Sequence, residues 1–185
     1  MATNKTALRR EVLERRNRLS DLEQKKASAL ICERILGHQW FYRSDYILLF
    51  VSYGSEIDTY PLMEETLRLK KHLFLPRIIG DQMEFFEVTD LNVLETGYKG
   101  IKEPPAVNPF QYEEAIAEKT LMLMPGVVFD PFRNRIGYGK GFYDRFLQDK
   151  PGLMIRTIAI GHKCQVVAQI ESEEHDIKPY QVICV

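Results

Sequence analysis

Residues 120–146 read TLMLMPGVVFDPFRNRIGYGKGFYDRF. Thr120–Met124 is short, continuous and without polar alternation, the pattern of a strand buried on both faces. Pro125-Gly126 breaks it, and Val127–Phe129 reads as its continuation. Gly137, Gly139 and Gly141 then fall at every second position before Phe142, Tyr143, Asp144 and Phe146, which read as a helix over about 141–149. Strand, glycine-rich loop and helix in direct succession predict an α/β unit with its working loop at the carboxyl end of the strand.

Outward from that unit the same alternation recurs. Tyr46–Val51 (YILLFV) is a second buried-strand run, Ser52–Asp58 a polar loop, and Thr59 a helix cap with Pro61 close behind it, opening a helix over about 60–71. His72–Leu75 reads as a strand ended by Pro76, and Met83–Val88 as a third, more exposed one. At the start, residues 5–19 (KTALRREVLERRNRL) read as a helix with a sparse stripe of Leu8, Val12 and Leu19. Ser20 and Glu23 form a capping-box pattern that opens a second helix to about residue 38, with Trp40 and Phe41 packed at its end. Thr89–Tyr112 is a long loop containing Gly97, Gly100, Pro104, Pro105 and Pro109, of a length that is often functional. Leu153–Ile160 and Val182–Val185 complete the strands.

This pattern predicts one α/β domain over residues 1–185, with a mainly parallel central sheet in a three-layer arrangement and helices on both faces. Ligand sites belong at the carboxyl ends of such strands, which selects the loops after Val51 and after Met124.

The composition narrows the function. With 25 basic and 26 acidic residues, net charge −1, the chain lacks the basic excess of a nucleic-acid binder. No stretch is long and apolar enough to span a membrane, and the polar start has no secretory h-region, so a cytoplasmic protein is expected. Cys32, Cys164 and Cys184 are odd in number and far apart, which argues against disulfides or a zinc site. A small-molecule substrate is expected, on a monomer or weak homo-oligomer.

The chemistry concentrates in residues 125–146. Closely spaced glycines let backbone N–H groups approach a ligand, and successive N–H groups make an anion site. Arg135 and Lys140 add charge, the first in bidentate form and the second as a point charge. Tyr138, Phe142 and Tyr143 offer rings to a base or a pterin, and Asp144 an oxygen ligand to Mg²⁺. The spacing matches neither a Walker A loop nor a dinucleotide fingerprint. Read alone, such glycines also suit an ordinary turn. Lys5 and Arg9, one helical turn apart, also suit a solvated basic face. Glu56 also suits a loop charge near a helix start, and Asp176 an acidic surface loop. His175, beside Asp176, reads as a surface histidine, because phosphate-bound Mg²⁺ prefers oxygen.

FDPFRNRIGYGKGFYDRFL resembles the signature of the 5-formyltetrahydrofolate cyclo-ligase family. KTALR (5–9), FVSYGSEIDT (50–59) and GIKEP (100–104) are similar to further elements of that family in the same order. The resemblance implies a fold like that of sugar-phosphate isomerases and coenzyme A transferases. It also implies ATP- and Mg²⁺-dependent cyclisation of 5-formyltetrahydrofolate to 5,10-methenyltetrahydrofolate. ATP would be held by Lys5, Thr6, Ala7, Leu8 and Arg9 and by Arg135, Ile136, Gly137, Tyr138, Gly139, Lys140, Gly141, Phe142 and Tyr143. Folate would meet Val51, Glu56, Tyr138, Gly139, Lys140, Gly141 and Phe142. Arg135, Lys140 and Tyr143 would act in catalysis, and Asp144 and Asp176 would hold the metal. Lys140 occupies a slot where the family commonly has glycine. A non-catalytic folate- or nucleotide-binding module, or an isomerase or transferase on the same scaffold, are the competing readings.

Overall fold

A computed structural model describes residues 5–171, 173 and 176–185, which leaves His175 outside the described residues. Its centre is a six-stranded sheet. The strands are β1 (Tyr46–Leu48), β2 (His72–Ile79), β3 (Gln82–Val88), β6 (Thr120–Met124), β9 (Thr157–Gly161) and β10 (Gln181–Cys184), in the order β10-β9-β6-β1-β2-β3. Two small antiparallel pairs lie outside it: β4 (Glu95–Thr96) with β5 (Lys102–Glu103), and β7 (Val128–Phe129) with β8 (Arg135–Ile136). The sheet is parallel except for β3, which returns antiparallel to β2 through a turn at Gly80 (φ +63°) and Asp81.

Side-chain alternation divides the core into two layers. Ile47, Leu73, Leu121, Leu123 and Ile158 face α2 (Asp21–Leu36), α3 (Gln39–Arg43) and α4 (Tyr60–Arg68). Leu48, Phe74, Met122, Met124 and Ala159 face the other side, where α6 (Phe142–Leu147) and α7 (Pro151–Met154) bring Leu147 and Leu153. The short α5 (Glu114–Ala117) packs beside α7 and leads into β6. Each fully buried Leu or Ile here stabilises the fold by roughly 1.5–3 kcal/mol. The mainly parallel sheet flanked by helices agrees with the expected architecture.

Several boundaries differ for physical reasons. The Ser20–Glu23 capping box forms as read, and α2 runs from Asp21. Trp40 and Phe41 do not merely pad its end but sit in α3, capped by the His38 ring. Pro76 does not stop β2. Since β1 leaves the sheet at Leu48, opposite Phe74, the strand has a free edge there and loses no ladder bond to the proline. β3 is largely buried: Phe85 packs on Phe146 at 4.9 Å, and its edge is covered by Phe110 N–H donating to Phe85 O (2.7 Å). Leu153 begins no strand; Pro151 opens α7 instead, and β9 starts at Thr157. Val127–Phe129 does not extend β6 but turns into the β7–β8 hairpin.

The first helix, α1 (Lys5–Asn17), stands apart from the sheet. Val12 packs with Val127, Val128, Ile136 and Ile170 in a separate small cluster on that hairpin. Its docking decides where the amino-terminal cations stand.

Candidate functional site

From β1 the chain first builds one side of the sheet (β2, β3) and then crosses to the other (β6, β9, β10). Its topological switch point therefore lies between β1 and β6, where open α/β sheets carry their ligands. Three segments meet there: residues 49–59 after β1, residues 125–141 after β6, and α1.

The loop after β1 is tied by Thr59. Its hydroxyl does not cap α4; it donates to Phe50 O (2.7 Å) and accepts from Ser52 N–H (3.2 Å). Within the loop, Glu56 Oε2 accepts from Tyr53 N–H at 2.9 Å, which fixes the carboxylate. Val51 is buried in the core beneath the loop.

The loop after β6 is organised by Asp130, a buried carboxylate. Its Oδ1 accepts from the N–H groups of Phe132 and Asn134 (both 2.9 Å), and its Oδ2 from Asn134 Nδ2 (2.7 Å) and Ile170 N–H (2.8 Å). These bonds set the turn in which Arg133 takes φ +66° and deliver Arg135 beneath the glycines. Gly139 (φ +92°) and Gly141 (φ +64°) have the left-handed backbone that disfavours side chains, and a Cβ on Gly139 would come within 3.5 Å of the Arg9 guanidinium. α6 spans only Phe142–Leu147, shorter than the sequence suggests, so anion affinity here depends more on loop amides and cations than on a helix dipole.

A cleft of ≈ 620 Å³ opens over this loop. Lys5, Arg9, Arg135, Lys140 and Arg145 supply its positive charge, and Asp144 and Asp176 its described aspartates. Arg9 Nε donates to Gly137 O (2.7 Å), which pins the glycine loop to α1. The side chain of Arg135 is only 4% exposed; its Nη2 donates to Asp144 Oδ1 at 3.0 Å, and its buried Nε has no partner among the described residues. That commitment to Asp144 leaves less of the guanidinium for a bidentate grip on phosphate than the sequence suggests. Lys5 Nζ pairs with Asp176 (2.7 Å) and Glu173 (3.2 Å). Burial opposes its charge, but those two partners outweigh burial and raise its pKa.

Glu56 and Tyr138 are 82 residues apart, and the Tyr138 hydroxyl donates to Glu56 Oε1 at 2.6 Å. Protein atoms crowd the carboxylate although part of its surface is exposed. That desolvation raises its pKa, with Tyr138, Tyr53 N–H and Arg16 acting in the opposite direction. Burial, and then the Glu56 charge, likewise raise the hydroxyls of Tyr138 and Tyr143 well above the usual tyrosine range. Both therefore keep their protons near neutrality and can donate.

The structure thus brings most of the sequence-selected residues together: Lys5, Arg9, Arg135, Ile136, Gly137, Tyr138, Gly139, Lys140, Gly141, Phe142, Tyr143, Asp144 and Asp176 all line the cleft, and Glu56 reaches it through Tyr138. Four do not line it: Thr6 and Ala7 lie on the exposed side of α1, Leu8 packs under the hairpin, and Val51 is buried in the core beneath the loop after β1. Sequence reading missed Arg16, Ser55 and Arg145. Arg16 carried a usable signal: Lys5, Arg9, Val12 and Arg16 follow a spacing that puts them on one helix stripe.

The donor set bears on Mg²⁺. Among the described residues no three His, Cys, Asp or Glu side chains form a cage. Asp144 and Asp176 nevertheless line one cleft, and Ile177 N–H donates to Asp144 Oδ1 at 3.2 Å, which holds the 176–177 segment against it. One or two carboxylates in a cationic cleft fit an ion held mainly by phosphate oxygens.

A mainly parallel α/β sheet with glycine-loop amides and cations at its switch point is the architecture of an α/β protein that handles an anionic ligand. The model of the 5-formyltetrahydrofolate cyclo-ligase family matches residues 1–185. The chain belongs to that family of enzymes. It is similar to the solved structure of 5,10-methenyltetrahydrofolate synthetase from Aquifex aeolicus, with TM-score 0.81 and 30% identity, covering 95% of this chain and 86% of that one. It is 27% identical to the 5-formyltetrahydrofolate cyclo-ligase of Mus musculus over 97% of this chain and 92% of the mouse protein. To that of Escherichia coli K12 it is 26% identical over 90% and 92%.

Proposed function

We propose that residues 1–185 form one catalytic domain that cyclises 5-formyltetrahydrofolate to 5,10-methenyltetrahydrofolate at the expense of ATP. The observation that carries this reading is the 2.6 Å bond between Tyr138 and Glu56, which joins a cationic glycine-loop cleft to a carboxylate suited to pterin N–H donors. One ligand pair can span both.

In this reading Lys5, Arg9 and Lys140 neutralise the triphosphate while the amides of residues 136–141 orient it. The formyl oxygen takes the γ-phosphoryl group, and its bond to the β–γ bridging oxygen breaks to leave ADP. N10 then attacks the formyl carbon, the carbon–oxygen bond breaks, phosphate leaves, and the N10 proton is lost. Each reacting group belongs to a substrate, so the chain needs only to align, neutralise and exclude water. Val51 and Phe142 border the folate, and Glu56 receives its pterin edge. The Tyr143 hydroxyl, protonated near neutrality, donates to oxygen that gains charge. Arg135 holds Asp144 in place. Mg²⁺ held by Asp144 and Asp176 would supply charge neutralisation at the phosphates.

The test mixes protein, 5-formyltetrahydrofolate and Mg²⁺-ATP and follows methenyltetrahydrofolate absorbance. Product is expected only with ATP present. Arg135→Ala and Asp144→Ala should each lower the rate by about two orders of magnitude. Tight folate binding without ATP consumption would instead indicate a binding module.

A further inference from the structure

Arg16 is a buried arginine on α1, 4% exposed, and among the described residues no carboxylate lies within ion-pair distance of it. A guanidinium has only donors, so what it touches must accept. Its Nε donates to Ser55 Oγ and its Nη2 to Tyr138 Oη, both at 2.9 Å. Each hydroxyl must then direct its single proton elsewhere. Ser55 gives it to Asn17 Oδ1 at 2.5 Å, and Tyr138 gives it to Glu56 Oε1 at 2.6 Å. The positive charge of Arg16 is therefore separated from the negative charge of Glu56 by one hydroxyl whose polarity it fixes.

We infer that Arg16 is a positioning residue for folate recognition, acting through the Tyr138 hydroxyl to hold Glu56 charged and aimed at the pterin. The inference rests on the function proposed above. With one lone pair on each oxygen engaged by Tyr138 and by Tyr53 N–H, the carboxylate keeps its remaining lone pairs for a two-donor edge. Without Arg16 the Tyr138 hydroxyl is free to rotate, and the carboxylate loses its nearest countercharge. Arg16 also links α1, which carries Lys5 and Arg9, to the loop that carries Glu56.

Other groups facing Glu56 do not replace this cation. Tyr143, on the glycine-loop side, is neutral, and its proton is held by burial first and by Glu56 second. His162 Nε2–H donates to Ser55 O (3.0 Å) beside Arg16; burial, and secondarily Arg16, lower its pKa and favour the neutral ring. On the far side, α2 and the loop present Asp21, Glu33 and Asp58 against the single cation Lys25 around the hollow that Glu56 also lines. That side is net acidic and works against a charged Glu56.

The test uses Arg16→Met, Arg16→Lys, Tyr138→Phe and the double variant Arg16→Met/Tyr138→Phe. KM is measured for 5-formyltetrahydrofolate and for ATP, with the pH profile of kcat/KM for folate between about pH 5 and 8. Arg16→Met and Tyr138→Phe should each raise folate KM about tenfold, the value of a hydrogen bond to a charged group, with ATP KM within about twofold. The acid limb should move to higher pH in both, because each change removes something that holds the proton off Glu56. Arg16→Lys retains the charge and should keep the limb near wild type. The double variant should be no worse than the poorer single one, since both act along one path. Additive losses, ATP KM rising in step with folate KM, or an unmoved limb would overturn the inference. Should Arg16→Met fail to fold, Tyr138→Phe with wild-type KM and limb overturns it alone. Wild-type protein that makes no methenyltetrahydrofolate would defeat the functional reading instead, so the two failures are distinct.

Discussion

Replacing Asp130 by asparagine alters one atom and should unsettle the whole turn that leads to the glycine loop. The wild-type carboxylate is buried and accepts four hydrogen bonds, two on each oxygen, from Phe132 N–H, Asn134 N–H, Asn134 Nδ2 and Ile170 N–H. An amide has one oxygen. Whichever way the substituted side chain is turned, its NH₂ faces two donors. Asn134 offers partial relief, because its Oδ1 is buried without a partner among the described residues and can accept from the new amide if the side chain flips. Ile170 N–H, or the two loop N–H groups in the other orientation, still face a donor. Each buried group left unpaired costs about 1–3 kcal/mol, so the expected loss is about 3 kcal/mol. For a chain of this length that lowers Tm by about 6–12 °C. No cavity is made, so the loss cannot be assigned to packing. Thermal and urea unfolding of Asp130→Asn beside Asp130→Ala provide the assay, and the isostere should lose a large share of what alanine loses. An Asp130→Asn protein melting within about 2 °C of wild type would refute the reasoning.

Further outcomes follow from the same geometry. Burial raises the pKa of Glu56, so the folded state binds its proton more readily than the unfolded chain does; the charged form therefore costs stability once pH rises above that pKa. Glu56→Gln should then be no less stable than wild type at about pH 7 while losing folate turnover, checked by urea titration beside the spectroscopic assay. Burial pushes the Cys184 thiol up to about 12, so alkylation with iodoacetamide near pH 8 should label it far more slowly than unfolded protein, read by mass spectrometry. Chelating divalent ions should abolish turnover, and Asp144→Asn should raise the Mg²⁺ needed for half-maximal rate; turnover indifferent to chelator would defeat the metal assignment.

Much of the fold was legible because its strands are buried on both faces. Tyr46–Leu48 and Thr120–Met124 announce themselves through unbroken apolar runs, and Ser20–Glu23 through its reciprocal cap. The glycine loop was legible because Gly139 and Gly141 need a backbone that other residues avoid. The parts that escaped depend on distant partners. Whether Pro76 ends a strand is decided by where β1 leaves the sheet, and whether Val127–Phe129 continues β6 by four bonds to Asp130 made across the turn. Arg135 looked like a phosphate ligand because its guanidinium is available on paper; the fold buries it against Asp144. The stripe of Lys5, Arg9, Val12 and Arg16 was readable, but what Arg16 does was not, because its acceptors are hydroxyls from loops 39 and 122 residues away.

The first helix rests on the β7–β8 hairpin through Leu8, Val12 and Leu13, of which only Val12 is fully buried, yet it delivers Lys5 and Arg9 to the cleft and Arg16 to the Tyr138 hydroxyl. A segment with so small an apolar footing opens at less free energy than the sheet does. Any anion gripping Lys5 and Arg9 would then weld this clasp shut, and the protection of its amides against deuterium becomes a gauge of occupancy that no catalytic turnover is needed to read.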